Sequence, residues 1–156
     1  MASIVQTITL APAFMQEIKE DDRRLNQLMS DFRQLVARWP LADSERQELA
    51  SLVWDVRDRV AFHFALEEAY GYFEDPVAVA PRLCERVDGL RAEHGELFED
   101  LCRIVDMFED SEPDLPADFA GVQEMCRGFL SRFDAHETAE NALIVQAFNE
   151  DIGVGD

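Results

Sequence analysis

Apolar side chains recur in four separate segments of this chain at alternating spacings of four and three residues, and that rhythm admits few architectures. Residues three and four apart share one face of an α-helix, so each segment reads as a helix carrying a single stripe that must be covered by other helices. The first stripe is Ile18, Asp22, Leu25, Met29, Phe32, Val36, Trp39, and the second is Leu49, Val53, Val56, Val60, His63, Glu67, Tyr70. The third is Leu83, Val87, Leu90, His94, Leu97, Leu101, Ile104, Phe108; the fourth is Phe119, Val122, Cys126, Phe129, Phe133, His136, Glu140, Leu143, Ala147. With only 7 glycines and 6 prolines in 156 residues, little interrupts such helices.

Local punctuation sets the joints. Trp39-Pro40 ends a first helix of roughly residues 11 to 39, because proline disfavours the α conformation in the residue before it. Asp43 and Ser44 with Gln47 predict an N-cap and capping box that open a second helix running to about residue 73, where GYFEDP (71–76) stops it. A third helix of roughly 78 to 109 leads into the loop SEPDLPAD, and a fourth runs from near Pro116 to about 149. The expectation is one all-α domain over residues 1–156, an antiparallel up-down-up-down four-helix bundle with an N-terminal arm (1–10) and a frayed tail (150–156).

Charge narrows the partners. A formal charge of -19, from 33 acids against 14 bases, repels phosphate backbones and anionic lipid, so neither nucleic acid nor a membrane is an expected partner. No apolar run is long enough to span a bilayer, and the first residues lack the basic region of a secretory signal. Cys84, Cys102 and Cys126 are odd in number and lack C-x-x-C spacing, which fits reduced thiols in a cytoplasmic protein. The phosphate-binding, dinucleotide, nucleophile-elbow and H-E-x-x-H zinc motifs do not occur, which disfavours the common hydrolases and nucleotide enzymes.

What breaks the apolar stripes is informative. They contain all three histidines of the chain together with Asp22, Glu67 and Glu140, and almost no other ionisable residue. His63 with Glu67, and His136 with Glu140, are four apart and present two donors from one helix face. Antiparallel packing brings Asp22, His63, His94 and His136 to within a few turns of one level. Ionic groups left unpaired in an apolar core cost several kcal/mol, and a transition-metal cation offsets that cost. Imidazole with carboxylate suits iron or manganese, and zinc also accepts it. The competing reading is a metal-free or vestigial bundle, acting as an interaction or dimerisation module, whose His–Glu pairs fix helix register.

"HFALEE" (63–68), "HETAE" (136–140) and His94 within "RAEHGELF" resemble the motifs of the hemerythrin-like (HHE cation-binding) domains, over roughly residues 11 to 149. That resemblance implies a four-helix bundle holding two non-haem iron ions, with manganese or zinc as alternatives. Glu67 and Glu140 would bridge the ions, His94 and His136 would bind one, and His63 with a first-helix ligand the other. The family usually has a histidine on the first helix, where this chain offers Asp22, with Asp21 and Asn26 as weaker candidates. The third-helix H-x-x-x-H is incomplete, since Phe98 stands at its second position. The resemblance further implies sensing, binding or handling of O2, NO, peroxide or iron, rather than catalysis, with a small diatomic molecule as a candidate ligand. The apolar arm at 3–10 is placed to cover the bundle end or to pair with a second protomer as a homo-oligomer.

Overall fold

A computed structural model of the chain describes residues 12–69, 81–110 and 119–154. They form four helices, α1 (Pro12–Ala37), α2 (Asp43–Ala69), α3 (Cys84–Asp110) and α4 (Phe119–Val154), with one 3₁₀ turn, Pro81–Leu83, leading into α3. No strand occurs among the described residues. The expectations for the arm at 1–10, for Tyr70 and GYFEDP, and for the loop ending near Pro116 lie outside the described residues.

The helix ends correct the sequence reading in three places. α1 begins at Pro12, where a missing N–H costs nothing, and stops at Ala37, with the Arg38 N–H donating to the Leu35 carbonyl at 3.2 Å. The Trp39–Pro40 peptide that follows is cis. At the start of α2 the Ala42 N–H donates to Glu45 Oε1 at 3.1 Å, while the Arg46 N–H donates to the Ala42 carbonyl at 2.9 Å. Ala42 therefore holds the N-cap position and Glu45 supplies half a capping box; Gln47 comes too late in the helix to reach back. α4 continues to Val154 where a frayed tail was expected. Its last residues include no proline, and a single glycine costs only about 1 kcal/mol in a helix interior.

Paired contacts fix the helix directions. Asp21 meets His63 while Arg38 meets Glu45, so α1 and α2 run antiparallel. Arg86 meets Gln146 while Asp100 meets Arg132, which does the same for α3 and α4. Arg33 meets Asp134 while the Gln123 side chain reaches the Val36 carbonyl, closing α4 against α1. Every apolar residue predicted for the four stripes whose side chain is described is buried, except Trp39 and Phe108, which are half-buried against the core.

The burial is divided along the bundle axis. One large apolar cluster runs from Leu25 on α1 through Val53, Leu101 and Phe129, and a smaller one joins Leu83, Val87 and Leu90 to Leu143 and Ala147. Along α3 and α4 the residues separating the two clusters are His94, His136 and Glu140. The bundle thus carries a polar layer between two apolar ones, and that layer positions the site.

Candidate metal centre

Each of α2, α3 and α4 delivers one histidine to the polar layer because the four-and-three rhythm continues through it without a break in the helix. His63, Glu67, His94, His136 and Glu140 are all buried, at 2–7% exposure. His63 Nε2 lies 2.7 Å from Glu67 Oε1 and 3.4 Å from Glu137 Oε1. His94 Nε2 lies 3.2 Å from Glu67 Oε2 and 3.3 Å from Glu140 Oε1. His136 Nε2 lies 2.5 Å from the same Glu140 oxygen. One carboxylate, Glu67, therefore turns an oxygen to each of two imidazoles on different helices, and Glu140 stands between the second and third.

The opposite ring nitrogens face other acids. His63 Nδ1 is 2.8 Å from Asp21 Oδ2, His94 Nδ1 is 3.2 Å from Glu68 Oε1, and His136 Nδ1 is 2.6 Å from Glu93 Oε2. Arg59 approaches the second oxygen of Asp21 at 3.5 Å. Phe64 stacks flat on the His94 ring, with centroids 3.9 Å apart and planes 8° apart, and meets the edge of His136 at 5.6 Å. It also lies 6.4 Å from the Phe133 ring and belongs to the large apolar cluster, so it joins the polar layer to that core.

The first helix requires a correction. Asp22, taken from the sequence as the inward acid, has a side chain 56% exposed, with Oδ1 4.0 Å from His63 Nδ1. Asp21 is the buried one, at 2%. The reason is rotational: α1 buries Leu28 and Leu35 as well as Leu25, Met29, Phe32 and Val36. At 100° per residue, Asp21 lies roughly 25° from the centre of that arc and Asp22 roughly 75°. A second four-and-three stripe, Asp21, Leu25, Leu28, Phe32, Leu35, was present in the sequence and would have revealed it. The sequence passes over Glu93 and leaves Glu68 and Glu137 open between a solvated position and a supporting one beside the ligands, because all three lie about 100° off the stripe and reach the layer only through their length. Phe98, at the incomplete third-helix position, is 36% exposed.

The donors suit a cation. His63 Nε2, His136 Nε2, Glu67 Oε2 and Glu137 Oε1 are buried and close to other site atoms, yet none is aligned with a hydrogen-bond partner. The longer separations in the layer, 3.2–3.4 Å, are about those of neighbouring donors held roughly 2.0–2.2 Å from one ion. Donor atoms within 4.8 Å of one another form three groups: Glu67, His94, His136, Glu140; His63, Glu67, Glu137; and Asp21, Asp22, His63. Glu67 belongs to two of them. No thiolate competes, since Cys84 is exposed, Cys102 is half-buried away from the layer, and burial in the large core pushes the Cys126 thiol up to about 12.

Electrostatics point the same way. Asp21, Asp22, Glu67, Glu68, Glu93, Glu137 and Glu140 face three imidazoles and the Arg59 guanidinium, so the acids outnumber the bases even with every imidazole protonated. Burial alone would lower the His63 imidazole, but the Asp21, Glu137 and Glu67 carboxylates outweigh it and push it up to about 12. Burial also opposes the charge on His94, and Glu140, Glu67 and Glu68 raise it to about 9 regardless. His136 moves up in the same way, with Glu140 and Glu93 overriding its burial. Glu140 is held down to about 2, its burial overcome by His136 and His94. Burial, aided by Asp21 and Glu137, raises Asp22 against the opposing pull of His63.

These shifts set the pH behaviour of the metal-free protein. Raised imidazoles contribute stability that is complete below their ordinary value near 6.5 and is lost as pH climbs through about 9 for His94 and about 12 for His63. The lowered Glu140 contributes stability present above its ordinary value and lost as pH falls toward 2. Thermal melts in the presence of chelator should therefore show Tm falling steadily from pH 6.5 to pH 9. A flat or rising Tm over that window would contradict the assigned pairs. Binding a cation at Nε2 requires those protons to leave, so uptake near neutrality should release protons.

A helical bundle with a buried layer of imidazole and carboxylate donors has the groups to hold a cation. The family model of the hemerythrin HHE cation-binding domain matches residues 14–149, and the chain belongs to that family. The comparisons with curated proteins and with solved structures give no match. Among the described residues no helix is long and apolar enough to cross a membrane.

Proposed function

We propose that the chain is a hemerythrin-like binding protein for a dinuclear non-haem centre, with iron as the cation pair and O2, NO or peroxide as the molecules it senses or handles. The observation that carries this reading is Glu67, whose two oxygens serve two imidazoles from different helices and which belongs to two donor groups at once. Glu67, His94, His136 and Glu140 hold one ion; His63, Glu67 and Glu137 hold the other. Glu137 takes the place in this set that Asp22 was expected to fill, because it faces Nε2 of His63 whereas Asp21 and Asp22 face Nδ1. Mixed nitrogen and oxygen donors without sulfur favour iron or manganese, and a carboxylate-rich set favours the higher oxidation state.

When bound, such a pair supplies redox change and an open position for a small molecule. The residues of the chain supply the rest. Glu67 joins the two ion positions, Glu140 and Glu137 each complete one of them, the imidazoles set the direction of approach, and Phe64 lies flat on the His94 ring. The test is optical. Protein loaded with Fe(II) without oxygen, then exposed separately to O2, peroxide and NO, should develop ligand-to-metal absorption with at least one of them. Loaded protein that stays spectrally unchanged with all three would reduce the ions to structural ones.

A further inference from the structure

The three outward ring nitrogens follow one rule. His63 on α2 is met by Asp21 of α1, His94 on α3 by Glu68 of α2, and His136 on α4 by Glu93 of α3. Each acid is carried by the helix that precedes its histidine in the chain. All three contacts are at Nδ1, and all three Nε2 atoms turn to Glu67 or Glu140. Three independent helix pairs repeating one arrangement go beyond the number of acids needed to balance charge.

We propose that Asp21, Glu68 and Glu93 are positioning residues, an outer ring that holds each imidazole with Nδ1–H donating to its carboxylate and Nε2 turned toward the cation position. This rests on the dinuclear reading above. An imidazole has two tautomers and rotates about its χ2 bond, so without a partner at Nδ1 the ring is free to present the wrong nitrogen. An acid at Nδ1 removes both freedoms and makes Nε2 more basic, and loss of such a partner typically weakens metal affinity tenfold to a hundredfold. The ring also differs in exposure. The Asp21 side chain is sealed at 2%, whereas those of Glu68 and Glu93 are 52% and 47% exposed. Two of the three holds can therefore be altered from the surface without opening the core.

That difference selects the experiment. Wild type, Glu68→Ala, Glu93→Ala and Glu93→Gln are titrated with Zn(II) against a competing chromophoric chelator, with Glu96→Gln as a control that removes an exposed charge from the same helix. Both alanine variants should lose tenfold to a hundredfold in Zn(II) affinity while remaining folded without metal, as judged by helical circular dichroism. Glu93→Gln should recover part of the loss, because its amide oxygen still accepts from Nδ1–H. In NMR spectra of the diamagnetic Zn(II) protein, the His136 Nδ1–H resonance should shift in Glu93→Ala and stay in place in Glu96→Gln, a signature that a purely structural role would not produce. Alanine variants within twofold of wild type, or a glutamine variant as weak as the alanine one, would overturn the proposal. Wild-type protein that takes up no Zn(II) would instead remove the metal reading itself, and this inference with it.

Discussion

Loading the metal-free protein with Fe(II) or Zn(II) is expected to raise its melting temperature by roughly 8–16 °C. A ligand that binds only the folded state stabilises it by about 4 kcal/mol when present at about a thousand times its dissociation constant. For a chain of this length each kcal/mol corresponds to roughly 2–4 °C. The folded state is singled out because its donors come from three helices and converge only when α2, α3 and α4 are packed; the unfolded chain offers no such cluster. Calorimetry with and without chelator measures the difference. Coincident melts would mean that the polar layer is satisfied by its own ion pairs, as in the metal-free reading of the sequence.

Replacing Glu67 with alanine is expected to have the largest effect of any single change at the centre. Its carboxylate is 6% exposed and is the one residue shared by the donor groups around His94 and around His63. Without it the second group retains only His63 and Glu137, too few to hold an ion firmly, while His94, His136 and Glu140 remain for the first. The count should fall from two tightly held cations per chain to one or fewer. Glu68→Ala, next to it in sequence, should weaken affinity without removing a donor. A Glu67→Ala protein that retains two cations would show that the shared carboxylate does not join the two positions.

Much of this was legible in the sequence, and the exceptions share a cause. The four helices, the burial of their stripes and the convergence of His63, Glu67, His94, His136 and Glu140 follow from a helical period that reads directly from residue spacing. The exchange of Asp22 for Asp21 turns on how far α1 is rotated in the bundle, which adjacent acids cannot reveal without weighing Leu28 and Leu35 as well. The holds by Glu68 and Glu93 are contacts between helices, made by long side chains from the flank of the stripe. A pattern within one helix cannot specify them. The start of α2 differed for a local reason, since an acid three positions after Ala42 reaches its N–H and Gln47 does not.

Glu67 and Glu140 carry the central claim, that buried carboxylates on two helices bind a pair of cations together with three imidazoles. Elemental analysis of wild-type protein, expressed with added iron and freed of loosely held ions by gel filtration, tests it most directly. Two transition-metal ions per chain is the predicted result. Protein that is folded, as judged by its helical circular dichroism, yet holds no transition metal even after anaerobic incubation with Fe(II), would contradict it.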